Sequence, residues 1–357
     1  MIIDRLKRAL VWCCTLAPTL LFALALLLPL GVQADDIVLG MTRGDVHVLP
    51  AGRAKPLTAA QGLTVRSGDR VYTGRDGWTV LMVPDGSRVV LTANSEFLVR
   101  TYDQQRRSGT FALLSGMLRA IINPSPSSPP NYRFNTLTAV AGVRGTDFTL
   151  LHRGQANVLF GNNGTVEVQG QNTAAQPLTA NTVVQTTRGT LPTQPIAIET
   201  GSELARAQTL FNTITDAAPA EWAEAGKLPE IVARWNIGYS RYLADAGRHQ
   251  EALHILQVAL DLSDAPEIQA DAHLERAAVF SRDPAQAQQA VQEYGLLLAP
   301  GFSGAQRETA LYLTGVGLIQ LKQPADARSR LEQYRREYPD GRYTARVETL
   351  LRSLDKP

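Results

Sequence analysis

Thr138-Ala139-Val140-Ala141-Gly142-Val143-Arg144-Gly145-Thr146-Asp147-Phe148 is the stretch on which the fold turns. Small and β-branched side chains surround two glycines, and an alternating pattern runs on through Thr149 to Leu150. A period of two puts Phe148 and Leu150 on one face of a strand, towards a core. Gly142 and Gly145 read as backbone positions that another residue would strain. Arg144 is expected to pair with Asp147 or with Asp69 beneath a turn, where a buried pair fixes geometry more than it adds stability.

The same texture extends over residues 36–190. Short alternating runs separated by turn residues every ~8–12 positions predict an all-β domain, a sandwich or a roll. Thr79 to Val83 and Arg88 to Thr92 read as a hairpin across Pro84-Asp85-Gly86-Ser87. Val158 to Phe160 and Thr165 to Val168 read as a second, local hairpin, because Asn163-Gly164 favours a type I′ turn. Pro124-Ser125-Pro126-Ser127-Ser128-Pro129-Pro130 is excluded from a central strand, since proline donates no ladder hydrogen bond. It reads as a surface spacer rather than a recognition ribbon. Arg43-Gly44-Asp45 spells an adhesion motif but sits where a first strand is expected to begin with Gly-Asp-Val-His-Val, and Asn163-Gly164-Thr165 spells a glycosylation motif where a hairpin turn is expected.

Gly68-Asp69-Arg70-Val71-Tyr72-Thr73-Gly74, then Asp85-Gly86-Ser87, then Leu113-Leu114-Ser115-Gly116, and finally the Ala141 to Phe148 string resemble the successive signatures of the FecR domain family. The resemblance implies an exported β domain that makes protein contacts in the cell envelope. FecR-type regulators carry a cytoplasmic anti-sigma segment before a membrane span. Here eight residues precede the apolar run, so the anti-sigma activity is not carried over. The motif Gly142, Val143, Arg144, Gly145, Thr146, Asp147 and Phe148 is taken as structural, with ligand binding as its rival.

Arg5, Lys7 and Arg8 precede an uncharged, mostly apolar run from Ala9 to about Leu30, closed by Val32-Gln33-Ala34. Residues 1–34 therefore read as a signal peptide cut between Ala34 and Asp35, giving a periplasmic protein. The alternative is an uncut anchor in the inner membrane that faces the periplasm. Cys13 and Cys14 both lie in this run, so the mature chain would hold no disulfide and no cysteine-ligated zinc.

Beyond a linker at 191–199 the composition shifts to Ala, Leu, Gln, Glu and Arg with helical spacing. Leu204, Ala207, Phe211 and Ile214 mark a first helix with one apolar face. Helix pairs follow at a period near 34–40 residues, the mark of a solenoid. Residues 200–357 resemble tetratricopeptide (TPR) repeats, with Gly238, Ala252 and Ala259 as the small residues between paired helices, Tyr338-Pro339 as a repeat ending, and a capping helix from Tyr343 to Leu354. The resemblance implies a concave surface for a peptide or folded domain, with Asn236, Arg241 and Arg307 as candidate contacts.

Charge divides along the same line. Residues 35–190 hold 15 Arg or Lys against 10 Asp or Glu (net +5), and residues 199–357 hold 17 against 22 (net −5). Halves of opposite sign are expected to dock on each other, within one chain or between two. The total of +2 argues against nucleic acid as partner. His249 and His254 lie ~140° apart on a helix, unlike i,i+4 metal ligands. The chain lacks G-x-x-x-x-G-K-[ST], G-x-S-x-G and H-E-x-x-H. Expected, then, are no catalytic residue, no cofactor and no metal. The reading is an exported binding or scaffold protein of the cell envelope, its partner a receptor or sensor, in trans-envelope signal relay. One alternative is a sensor of cell-wall glycan or a small ligand, marked by an Arg-lined groove with an exposed Trp78 or tyrosine. The other, an envelope polymer hydrolase, needs two convergent carboxylates.

Overall fold

The computed structural model describes residues 36–217 and 225–355. The readings on Cys13, Cys14, Ala34 and Asp35 lie outside the described residues. Strands fill the chain from Ile37 to Ala197, and helices follow, so the protein is a β domain succeeded by a helical array.

The strands build two sheets. The first runs in spatial order Thr64–Val65, Ile37–Arg43, Trp78–Met82, Arg88–Leu91, the second half of Ser108–Ile121, Asp147–Arg153, Ala156–Asn163, Thr182–Thr186 and Ile196–Ala197, all antiparallel. The second runs Leu57–Thr58, Val46–Leu49, Arg70–Thr73, Glu96–Asp103, the first half of Ser108–Ile121, Asn131–Asn135, Ala139–Val143, Val166–Gly170 and Ala175–Leu178. Its one parallel pair joins Ser108–Ile121 to Asn131–Asn135. The long strand passes from one sheet to the other at Gly116, whose φ of +94° and close approach to the Ser95 backbone leave no room for a Cβ. Between the sheets Phe97, Phe111, Tyr132, Phe134 and Phe148 form a chain of aromatic contacts with centroids 5.1–5.8 Å apart.

The hairpin of Trp78–Met82 with Arg88–Leu91 forms as expected. The second expected hairpin does not. Ala156–Asn163 belongs to the first sheet and Val166–Gly170 to the second, so Asn163-Gly164 carries the chain between layers instead of folding it back. Only Gly164 has a positive φ (+75°), whereas a type I′ turn needs one at both central residues. The signature makes the same crossing, because Ala139–Val143 lies in the second sheet and Asp147–Arg153 in the first. Residues 122–130 form an irregular connection between the layers.

Eight helices follow among the described residues: α1 (Glu203–Asp216), α2 (Leu228–Asp245), α3 (His249–Leu262), α4 (Pro266–Phe280), α5 (Ala287–Leu296), α6 (Gly304–Gln320), α7 (Pro324–Glu337) and α8 (Thr344–Leu354). From α2 onward each packs on the next, while α2 also touches α4 and α4 touches α6, the neighbour pattern of stacked helix pairs. Ala252 and Ala259 are fully buried, but Gly238 is exposed and has nothing within 4 Å of its Cβ position. The close approaches belong to Gly315, against Leu331 at 2.6 Å, and Gly317, against Val291 at 2.6 Å. Among the described residues no helix is long and apolar enough to cross a membrane.

The two halves share a hydrophobic core. Met117, Leu151, Val158, Phe160 and Val183, on the outer face of the first sheet, pack with Leu204, Phe211, Val232, Ile255 and Ile268 of the helices. The stretch read as a linker is part of this junction. Ile196–Ala197 adds an edge strand to the first sheet, and Thr193 exchanges hydrogen bonds with the Gln185 backbone.

Candidate functional site

The signature residues surround a crossover rather than a pocket. Val143 and Phe148 point into the inter-sheet core, Thr146 is buried, and Gly145 has a φ of +84°. Gly145 needs its glycine, whereas Gly142 has ordinary φ and only distant neighbours at its Cβ position. Arg144 pairs with neither expected partner. It is exposed and makes no hydrogen bond or ion pair among the described residues. Asp69 instead accepts backbone N–H groups of Ala51 (2.8 Å) and Arg66 (2.9 Å).

Asp147 is held by Arg119. The guanidinium donates Nε to Oδ1 at 2.9 Å and Nη2 to Oδ2 at 2.7 Å, the two-pronged geometry favoured by arginine and carboxylate. Its remaining nitrogen reaches the end of α1, donating to Asp216 (2.9 Å), Thr215 (3.1 Å) and the Asn212 carbonyl (3.3 Å). A cation at a helix C-terminus is favourably placed against the helix dipole. Trp78 joins the same contact: it is buried and its indole donates to the Ile214 carbonyl at 3.1 Å, so it offers no exposed ring.

The expected contacts on the helices have other duties. Asn236 is fully buried and exchanges two hydrogen bonds with Gln185 of the first sheet, at 2.8 and 2.9 Å. Arg241 pairs with Glu275 across α2 and α4. Arg307 pairs with Glu337 and donates to the Leu298 carbonyl.

An open cleft of about 1060 Å³ lies between residues 191–204 and the first helix pair, and sequence reasoning missed it. One wall is an aromatic ladder on α2. Trp235 stacks on Tyr239 (centroids 4.6 Å, planes 18° apart), and Tyr239 on Tyr242 (5.8 Å, 21°). Spacings of four and three residues put the three rings on one helical stripe, a pattern visible in the sequence. Ile237 of the same helix is buried in the core, while Tyr242 is 64% exposed. The opposite wall is Pro192-Thr193-Gln194-Pro195. Arg248 holds Glu251 by two bonds of 2.6 and 2.7 Å, which draws the Glu251 carboxyl below its ordinary pKa. Burial raises the Tyr239 phenol and lowers His254, whose Nε2 lies 3.1 Å from Thr190 Oγ1.

A second, shallower cleft of about 620 Å³ gathers Asp261, Asp264 and Glu293. Each carboxylate there has a structural partner: Glu293 binds His273 and Arg276, Asp264 binds Arg153, and Asp261 binds Thr187. Among the described residues no group of three or more His, Cys, Asp or Glu is placed to hold a metal ion.

Residues 69–168, which contain the signature crossover, match the protein family described as FecR protein. Residues 69–168 of the β domain are a FecR domain. No curated protein matches the chain. Solved structures that resemble it include two crystal structures of a candidate anti-sigma factor from Parabacteroides distasonis. Each is 15% identical with a TM-score of 0.32, covering 39% and 41% of this chain. The chain spans 64% and 71% of those proteins' length.

Proposed function

We propose that this chain is an exported, non-enzymatic binding protein of the cell envelope, in which the FecR domain and TPR-like repeats hold a protein partner and relay a signal. The aromatic cleft carries this reading. It lies between residues 191–204, which lead from the β domain into α1, and the first helix pair, so a ligand seated there touches the junction and the repeats. Its rings are turned face to face, leaving edges and one outer Tyr242 face open. Sugar rings stack on open aromatic faces, so this geometry suits peptide better than glycan. The periplasm is the compartment that the N-terminal sequence and the FecR domain together favour, with an uncut inner-membrane anchor as the variant.

A photocrosslinking residue at position 242 tests the proposal in intact cells, with the same residue at position 352 on α8 as control. Capture of an envelope receptor or sensor from position 242 alone is the expected result. Capture of wall glycan from that position would replace the protein reading with glycan binding, and equal capture from both positions would overturn the site.

A further inference from the structure

The Pro-rich connection between the sheets is fastened more firmly than a spacer requires. Arg107 donates to the Ser128 carbonyl at 2.6 Å and to Asp85 at 3.1 Å, and Tyr132 donates its hydroxyl to the same Asp85 oxygen at 2.8 Å. Asn123 donates to the Asp85 carbonyl at 2.9 Å. This node steadies the base and holds the Ser128 carbonyl, while the side chains of Pro126-Ser127-Ser128-Pro129 stay exposed, the chain bent at residues 126–128. Its two prolines have the P-x-x-P spacing that docks on aromatic-lined grooves.

We infer that the Pro126–Pro129 ribbon of one copy docks in the aromatic cleft of a second copy. The cleft already has a P-x-x-P segment, Pro192 to Pro195, as one wall, so the site accepts that backbone beside its ladder. Prolines three apart in an extended ribbon are ~9 Å from each other, and the ladder from Trp235 to Tyr242 is roughly 10 Å long. The ribbon straightens on docking and gives up the Arg107 bond to Ser128, a cost that keeps the association weak. Charge agrees with the pairing. Arg144 stands next to Gly145, which abuts Pro124, and Arg88 lies opposite Ile121 at the start of the connection. Both arginines are exposed and make no ion pair among the described residues, as is Glu199 in the cleft. The basic FecR domain would thus meet the acidic helical half of its neighbour.

A copy cannot fill its own cleft. Ser202 and Leu204, at the start of α1, line the cleft, whereas Arg119 ties the end of α1 to Asp147, beside the base of the ribbon. The 14 residues of α1 separate the two by ~21 Å, and the ribbon is pinned at both ends.

The inference rests on reading the cleft as a peptide site, and the test separates the two. Sedimentation of the purified chain over a concentration series is compared with Tyr242→Ala and with Pro126→Ala/Pro129→Ala, all at exposed positions. The expected result is self-association that weakens about tenfold or more in either variant, weakens with added salt, and returns when the variants are mixed, since the mixture holds one intact ribbon and one intact cleft. A chain that stays monomeric, or that associates equally in both variants, overturns the inference. In parallel a labelled peptide of residues 122–131 is titrated onto the chain. Binding by a monomeric chain overturns self-docking yet keeps the cleft as a peptide site, and a monomeric chain that ignores the peptide removes both.

Discussion

Arg119 and Arg144 show what a single residue's setting decides. Both lie in or beside the signature's strands, and the sequence alone offers Asp147 or Asp69 as the partner of Arg144. The sheet register brings Arg119 opposite Thr149 instead, within reach of Asp147 and α1. That pairing depends on which strands are neighbours, information that local spacing does not contain. Arg119→Ala would leave the Asp147 carboxylate without its guanidinium and the end of α1 without its cation. Asp147 is only part-buried and keeps its bond from Asn162, so the loss is that of charge-assisted hydrogen bonds, about 1.5–3 kcal/mol, and the urea midpoint should fall. Arg144→Ala, at an exposed residue without partners, should change stability by less than about 0.5 kcal/mol. Equal effects of the two substitutions would contradict the assignment of Arg119 as the signature's anchor.

At the scale of elements, alternation reveals strands but not which strands pair. The Val158 to Val168 region has the texture of a hairpin, yet its two strands join different sheets, and a crossover between layers has the same period of two as a hairpin. The β class, the repeats and the apolar face of α1 were legible because each follows from local periodicity. The inside-facing Asn236 was not, because a buried amide is recognisable only beside its partner. Gln185 and Asn236 satisfy each other where water is absent, so truncating one strands the other. Asn236→Ala should cost about 1–3 kcal/mol, whereas Gln185→Leu with Asn236→Leu should cost less than the sum of the single changes. A double-mutant cycle with no coupling would show that the pair does not hold α2 on the sheet.

Over the whole molecule the β domain and the first helices share one core, so a charge buried in either half acts on the stability of both. His152 is 2% exposed, its Nδ1 donating to the Ala156 carbonyl at 3.1 Å, and His254 faces Thr190 from α3. Burial lowers the pKa of each, partly opposed at His152 by the Ala156 and Asn157 hydrogen bonds and at His254 by the Glu251 charge. His152 lies on the inter-sheet side of its strand and His254 at the seam between the halves, where Arg153 pairs with Asp264 and Thr187 donates to Asp261. In the unfolded chain both imidazoles titrate near 6.5, so below that pH the unfolded state binds more protons than the folded one. Stability should therefore be full above about pH 6.5 and decline as pH falls through the lower folded values. Glu251 and Glu337, also depressed, contribute the same sign only below the carboxylate range near 4.5, so pH ~5 to 6.5 isolates the histidines. Urea midpoints taken across that window should drop with acidification in the wild-type chain and stay flatter in His152→Gln/His254→Gln. An unchanged slope in the double variant would place the acid sensitivity elsewhere. A midpoint that rises on acidification would mean that the two rings are charged in the fold, which their hydrogen-bond partners and burial oppose.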